Sequence, residues 1–170
     1  MIALPELGEY NPFYQPYIDQ LKGVDLLSKL STQKVEIAEL FKSIGEERAN
    51  YAYAEGKWTI KEVLNHINDV ERIFTYRALA IARGDLQSLP GMDQDNYQLN
   101  ARKNLRSFDS LINEFIAIRE SSIHFFNNIS EEESLKIGTA SNNPVSVRAL
   151  AGMVVGHAAH HIMILKERYL

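Results

Sequence analysis

The sequence predicts an all-α protein, a four-helix bundle. Four long segments carry apolar residues at helical spacing, and no segment shows a convincing β-strand alternation. Two stretches rich in Pro, Gly, Asn, Asp and Ser, at 89–96 and 138–146, are the clear loops. Helices of about 20 to 25 residues would be roughly 30 to 37 Å long, which suits a bundle. We expect residues 1–170 to form a single domain.

The first long helix is predicted from about Asp25 to Ile44. A shorter helical piece is predicted before it, around Pro12 to Leu21. The apolar positions of the long helix are Leu26, Leu27, Leu30, Ile37, Leu40, Phe41 and Ile44. One side of this helix is therefore expected to face the core.

The second long helix begins with the strongest local signal of the chain. In "KWTIKEV", Thr59 is placed as the N-cap and Glu62 follows three residues later, which makes a capping box. Trp58 and Val63 are spaced for the hydrophobic staple that accompanies such a start. We predict that the helix continues to about Arg83, because a glycine follows.

The remaining helices complete the predicted bundle. A third long helix is predicted over Ala101 to Asn127, with Leu105 among its apolar residues. "SEEES" at 130–134 indicates a helix start of one or two turns. The last long helix is predicted from about Ser146 to Tyr169.

Composition limits the possible functions. The chain has no cysteine, so disulfides, thiolate metal ligands and a cysteine nucleophile are excluded. The net charge of −4 lacks the basic footprint of a nucleic-acid-binding protein. We see neither a signal peptide nor a membrane span in the sequence, and we expect a cytoplasmic protein without a nucleic-acid or membrane partner.

Three of the five histidines lie in the segment "GHAAHH" at 156–161. At 3.6 residues per turn, one face of the last helix carries Leu150, Met153, Val154, His157, His161, Ile164 and Leu165. His157 and His161 therefore continue the apolar stripe, four residues apart, and this spacing lets two imidazoles bind one ion. His66 borders the apolar stripe of the second helix and can meet this pair.

Three neutral imidazoles with open coordination positions are typical of a catalytic metal site. The alternative is that these histidines are ordinary core residues with hydrogen-bond partners. His124 is interpreted as structural or facing solvent. The zincin motif is absent, because Ala158 stands where its glutamate would follow the first histidine. This loss removes most of the motif support for a peptidase.

Charged residues near His66 admit two interpretations. Asp69 follows His66 by three residues, so it can orient the ring or reach a metal. Arg72 is better explained by local ion pairs on a solvated helix face. The basic run "ARKNLR" at 101–106 is better explained as a solvated helix start than as an anion site.

Longer segments resemble a known family. "YAYAEGKWTIKEVLNHINDVERIFTYRALAIARGD", "LPGMDQD" and "VSVRALAGMVVGHAAHHIMILKERY" resemble the DinB-like superfamily, whose four-helix bundles are related to bacillithiol S-transferases. The similarity covers nearly the whole chain, from "YNPFYQPYI" to the C-terminus. Its most specific motifs are W-[ST]-I-K-E-V-L-x-H on the second helix and G-H-x-x-H-H on the last.

The resemblance implies a set of functional features. It implies that His66, His157 and His161 form a histidine triad that binds a divalent metal, zinc or nickel, with His160 beside them as an alternative ligand. It also implies a homodimer, and an enzyme that acts on a small-molecule substrate, sometimes with a low-molecular-weight thiol as co-substrate.

Three hypotheses about function follow. The first is a metal-dependent enzyme, either a thiol S-transferase or a small-molecule hydrolase. The second is a non-catalytic, stress-linked bundle that binds metal for stability or binds a partner through its surface. The third is a metal-free bundle with ordinary core histidines.

Overall fold

The computed structural model describes residues 2–102 and 106–170, and within them it is a four-helix bundle. The long helices are α2 (Leu26–Ala49), α3 (Ile60–Ala82), α5 (Phe108–Asn127) and α7 (Val147–Arg168). The shorter elements are a 3₁₀ turn (Pro12–Tyr14), α1 (Gln15–Asp19), α4 (Gln94–Ala101), α6 (Glu131–Leu135) and the strands β1 (Ile137–Ala140) and β2 (Asn143–Ser146). The predicted fold class is confirmed.

The predicted starts of the second and last long helices are confirmed by their caps. The Thr59 hydroxyl accepts a bond from the Glu62 amide at 3.2 Å, and the Glu62 carboxylate accepts one from the Thr59 amide at 2.7 Å. Ser146 caps α7 by accepting from the Ala149 amide at 3.0 Å. In α2, Gly45 has φ 74° and ψ 165°, so regular helix is interrupted directly after the predicted end at Ile44.

The third predicted helix was too long at its start. α5 begins at Phe108, because the Ser107 hydroxyl caps it and the Glu46 carboxylate accepts the Phe108 amide at 2.7 Å. The predicted segment instead overlaps α4, which begins at Gln94, inside the stretch that was predicted as a loop over 89–96. Leu105 lies outside the described residues.

The prediction of a loop at 138–146, and of no strands, was wrong. Strands β1 and β2 form an antiparallel hairpin with Ala140 paired to Asn143. Its two-residue turn, Ser141 and Asn142, has φ of 52° and 62°, which is the pattern of a type I′ turn. Strands of four residues give almost no alternation to detect, and the turn lacks the Asn-Gly signal.

The helices are arranged so that consecutive long helices are not all neighbours. α3 packs against α7 and α5, α2 packs against α5 and α7, and α2 and α3 lie diagonally opposite with little contact. The end of α2, the starts of α3 and α5 and the end of α7 meet at one end of the bundle, where Lys61 binds Glu46 and Tyr169 donates to the Trp58 carbonyl. α3 and α7 therefore run antiparallel.

Helix α7 is long and apolar. Its length and mean hydropathy of 1.2 would suffice to cross a membrane, but 61% of the apolar window is buried inside the bundle. Packing in the core therefore accounts for its composition.

Candidate metal site

The structure brings His66, His157 and His161 together across α3 and α7. The His157 Nε2 atom lies 3.0 Å from the His66 Nε2 atom and 3.1 Å from the His161 Nε2 atom. One nitrogen from each ring lies within 4.8 Å of the others. Antiparallel packing of α3 on α7 places His66 next to His157 and His161. The i, i+4 spacing on α7 alone could not predict this contact.

The two short separations, from His157 to His66 and to His161, suit a shared divalent ion. Two nitrogens at the usual Zn–N distance of about 2.05 Å lie roughly 2.9 Å apart at a right angle and roughly 3.3 Å apart at the tetrahedral angle. The distances of 3.0 and 3.1 Å fall inside that range. Three protein nitrogens leave one or more coordination positions open, which is the donor set of a catalytic site.

Burial keeps the three imidazoles neutral. It lowers the pKa of His66 to about 4 and, together with the neighbouring histidines, the pKa of His161 to about 3. Burial also lowers the pKa of His157 well below its usual value, as do the positive charges that its histidine neighbours would carry. At pH 7 all three rings therefore have a free lone pair, the form in which histidine binds a metal.

The interpretation of Asp69 as the residue that orients His66 was wrong. Asp69 accepts a hydrogen bond from the Asn65 amide at 3.0 Å, and the buried Nδ1 atom of His66 has no hydrogen-bond partner among the described residues. The His66 ring instead packs against Trp58, with ring centroids 4.8 Å apart. Arg72 pairs with Asp69 and Glu114 on the outer face of α3, as expected.

His160 and His124 lie outside the cluster of three nitrogens. The half-buried His160 packs against Tyr17, with ring centroids 5.2 Å apart, and lines the cavity beside the cluster. The His124 side chain is 76% exposed on α5, so it faces solvent. Of the C-terminal histidines, His157 and His161 are therefore the pair that faces His66.

A cavity of about 410 Å³ opens over the three histidines. Its walls include apolar and aromatic side chains, among them Tyr14, Tyr17, Trp58, Val70, Ile73 and Phe74. Arg77 and Ser141 also line it. Such a concave, mostly apolar space with a few polar groups is typical of a small-molecule site.

Sequence reasoning missed most of this lining. Tyr14 and Tyr17 come from the N-terminal segment, whose α1 packs on α7, and Ser141 comes from the unpredicted hairpin. Gly156 is the sequence signal that was overlooked. A Cβ atom there would lie 2.5 Å from the Tyr17 carbonyl oxygen, so only glycine lets α1 approach the histidines this closely.

The chain's sequence matches the family model of the DinB superfamily over residues 29–165. The chain belongs to the DinB superfamily. The resemblance read from the motifs is confirmed.

Two relatives illustrate the family. A protein of Oceanobacillus iheyensis named "Putative metal-dependent hydrolase" is 24% identical over 142 residues, which span 82% of this chain and 81% of that protein. The solved structure of Bacillus subtilis YfiT is described as "a probable metal-dependent hydrolase with an unusual four-helix bundle topology". It aligns with a TM-score of 0.67 and 14% identity, covering 97% of this chain and 90% of YfiT. That similarity supports the fold.

Proposed function

We propose that this DinB superfamily protein is a divalent-metal-dependent hydrolase of small molecules, with His66, His157 and His161 as the metal ligands. The observation that carries the proposal is the convergence of three neutral Nε2 atoms at the base of a cavity. The names of the two relatives support the same activity. When bound, such an ion supplies Lewis-acid polarisation and lowers the pKa of a ligand water or thiol.

The chain's own residues prepare this site. Burial holds the three imidazoles neutral, so no proton has to leave before an ion binds. Trp58 fixes one side of His66, and Tyr17 lies edge-on to His157 with ring centroids 5.8 Å apart. Val70 and Phe74 form an apolar wall that reduces the water around a bound substrate.

A thiol S-transferase is the second candidate, and one feature of the cavity favours it. Within the described part of the chain, no aspartate or glutamate lines the cavity. Hydrolysis benefits from a nearby carboxylate as general base, whereas a low-molecular-weight thiol with a lowered pKa is itself the nucleophile. The cysteine-free chain would take that thiol from a co-substrate.

Metal content tests the ligand assignment. We expect untagged wild-type protein to hold close to one Zn²⁺ or Ni²⁺ per chain, measured by inductively coupled plasma mass spectrometry. His157→Ala and His161→Ala should lose that metal. His160→Ala and His124→Ala are matched controls that should keep it, because neither ring belongs to the cluster. Wild-type protein that takes up neither ion would refute the metal-dependent function.

Turnover distinguishes the two candidate reactions. Metal-loaded protein should hydrolyse members of a panel of small esters and amides without any thiol. Activity that appears only when a low-molecular-weight thiol is added would favour the S-transferase. Stoichiometric metal with no turnover of either kind would favour a bundle that binds metal for stability alone.

We further propose a cytoplasmic homodimer, a property that rests on the resemblance to the DinB-like superfamily. Sedimentation equilibrium checks the oligomeric state of the full chain. A monomer mass at tens of micromolar protein would contradict the dimer.

A further inference from the structure

Among the described residues, Arg77 differs from the other buried arginines in having no carboxylate partner. Arg119 is fully buried and pairs with Glu71, and Arg148 pairs with Glu9. Arg77 is only 5% exposed, yet within residues 2–102 and 106–170 it forms no salt bridge. A buried cation without a counterion is costly, so its presence points to a partner from outside the chain.

The neutral contacts of Arg77 leave part of the guanidinium open. Its Nη2 atom donates to the Pro90 carbonyl at 2.7 Å and to the Ser141 hydroxyl oxygen at 3.2 Å. The Tyr14 side chain is a third neutral partner that hydrogen-bonds with the guanidinium. A guanidinium has five N–H donors, so these three neutral contacts leave donors for a ligand in the cavity that Arg77 and Tyr14 both line.

Ser141 adds a second donor at the same place. Because its oxygen accepts a bond from Arg77, its own proton remains to be donated. Its φ of 52° is a left-handed conformation that costs a non-glycine residue free energy. The tight turn of the hairpin thus holds a strained serine against the cavity, where a glycine would fit the backbone better.

Arg77 lies far from the three histidines, at the other end of the cavity. It lies eleven residues after His66 on α3, which is about three turns and roughly 16 Å along the helix axis, on nearly the same face. Val70, Ile73 and Phe74 line the cavity between them. A smaller cavity of about 110 Å³ adjoins this end and shares Arg77 and Ser141. The open space is therefore long, charged at one end and apolar in the middle.

We propose that Arg77 and Ser141 form an anion subsite that holds a terminal carboxylate of the substrate. The substrate class is an amphipathic small molecule, in which an apolar segment separates this carboxylate from the group that reacts at the histidines. The position of that reacting group rests on the proposed metal-dependent function. A carboxylate matches the single charge of Arg77, whereas a phosphate monoester brings close to two negative charges.

Equilibrium binding tests the subsite without any need for activity. The probes are phenylalkanoates, from phenylacetate to 5-phenylpentanoate, each compared with its neutral primary amide and titrated by NMR. The protein is the full chain treated with EDTA, so that no carboxylate can bind through a metal. We expect at least one acid to bind about tenfold more tightly than its amide, as a charge-assisted hydrogen bond allows.

Variants assign that preference to residues. Arg77→Gln should abolish the preference for the acid, and Ser141→Gly should weaken it while relieving the backbone strain. Arg83→Gln is the matched control, because Arg83 caps the same helix and pairs with Glu133 on the surface. It should keep the full preference. Arg77→Lys serves as a folding control that retains the charge, and circular dichroism melts check every variant.

Three results would overturn the subsite. The first is that no acid binds the wild type saturably, and the second is that acid and amide bind with equal affinity. The third is that the preference for the acid survives in Arg77→Gln. The metal measurement stands apart from all three. If the protein prefers carboxylates but binds no metal, the subsite is supported and the metal-dependent hydrolase is refuted. If it binds metal but shows no preference for carboxylates, the hydrolase is supported and the subsite is refuted.

Discussion

At the scale of single residues, the close contacts among the three neutral imidazoles cannot all be good hydrogen bonds. A neutral imidazole carries one N–H, so the Nε2 atom of His157 can donate to only one of its two neighbours. At least one of the two close nitrogen–nitrogen contacts is then less favourable than a full hydrogen bond, unless a cation satisfies the lone pairs. The histidines are arranged better for an ion than for one another.

The lowered histidine pKa values predict a pH-dependent stability of the metal-free protein. His66 and His161 titrate near 6.5 when unfolded but at about 4 and about 3 when folded. Between these limits the unfolded chain binds more protons, so the free energy of unfolding should fall as the pH drops from 6.5 towards 4. Each histidine contributes up to about 1.4 kcal/mol per pH unit within that window.

Urea unfolding of EDTA-treated protein at pH 7.0, 6.0 and 5.0 measures this dependence. His161→Gln should show a shallower slope than the wild type, and His124→Gln, whose ring is exposed, should show the same slope. An unchanged slope in His161→Gln would mean that this ring is not buried in its neutral form.

Gly156 and Gly152 offer a matched pair on α7. In Gly156→Ala the new Cβ meets the Tyr17 carbonyl at 2.5 Å, a backbone atom that cannot turn away. In Gly152→Ala it meets the flexible end of Ile18 at 3.0 Å. We expect Gly156→Ala to destabilise the protein by about 1–3 kcal/mol through overpacking, and Gly152→Ala to cost less. Thermal melts compare them, and equal effects would contradict the close approach of α1.

At the scale of helices, a buried polar layer crosses the bundle. The Nε and Nη2 atoms of Arg119 each donate to the Glu71 carboxylate at 2.8 Å, and its Nη1 atom donates to the side-chain amide oxygen Oε1 of Gln33 at 2.7 Å. Gln33 in turn donates to the Val155 carbonyl at 3.0 Å. The chain of bonds joins α5 to α3, α2 and α7, so it fixes how the helices are aligned along the bundle.

Breaking this layer should be costly. Glu71→Ala leaves the fully buried Arg119 without its carboxylate, and we expect a loss of about 3–5 kcal/mol in the free energy of unfolding. The double variant Glu71→Leu, Arg119→Met should recover much of that loss, because a buried ion pair can be replaced by apolar side chains. Urea unfolding measures both. A double variant less stable than Glu71→Ala would show that the pair itself is net stabilising.

At the scale of the whole molecule, the proposed metal site joins two helices that start far apart in the sequence. An ion that binds the folded chain alone stabilises it by about 2.7 kcal/mol at a free concentration one hundred times its Kd. We therefore expect Zn²⁺ or Ni²⁺ to raise the melting temperature of EDTA-treated wild type, and chelator to reverse the shift. The metal should not change the melting temperature of His157→Ala. A rise as large as that of the wild type would mean that the ion binds elsewhere.

The sequence by itself determined the helical class and much of the site. Apolar spacing and the Thr59 capping box are local features, so they predicted where α3 and α7 begin. The i, i+4 spacing placed His157 and His161 on the buried face of α7, and the family motifs added His66. These properties depend on residues within a few turns of one another, which is why they can be read along the chain.

Only the tertiary structure decided what surrounds those histidines. The hairpin turn that presents Ser141, the approach of Tyr17 over Gly156 and the bond from Arg77 to Ser141 all depend on contacts between distant segments. The role suggested for Asp69 failed for a local reason, because its carboxylate accepts a hydrogen bond from Asn65, one turn earlier on the same helix. Residue spacing indicates a shared helix face, but packing between elements sets the partner of each side chain.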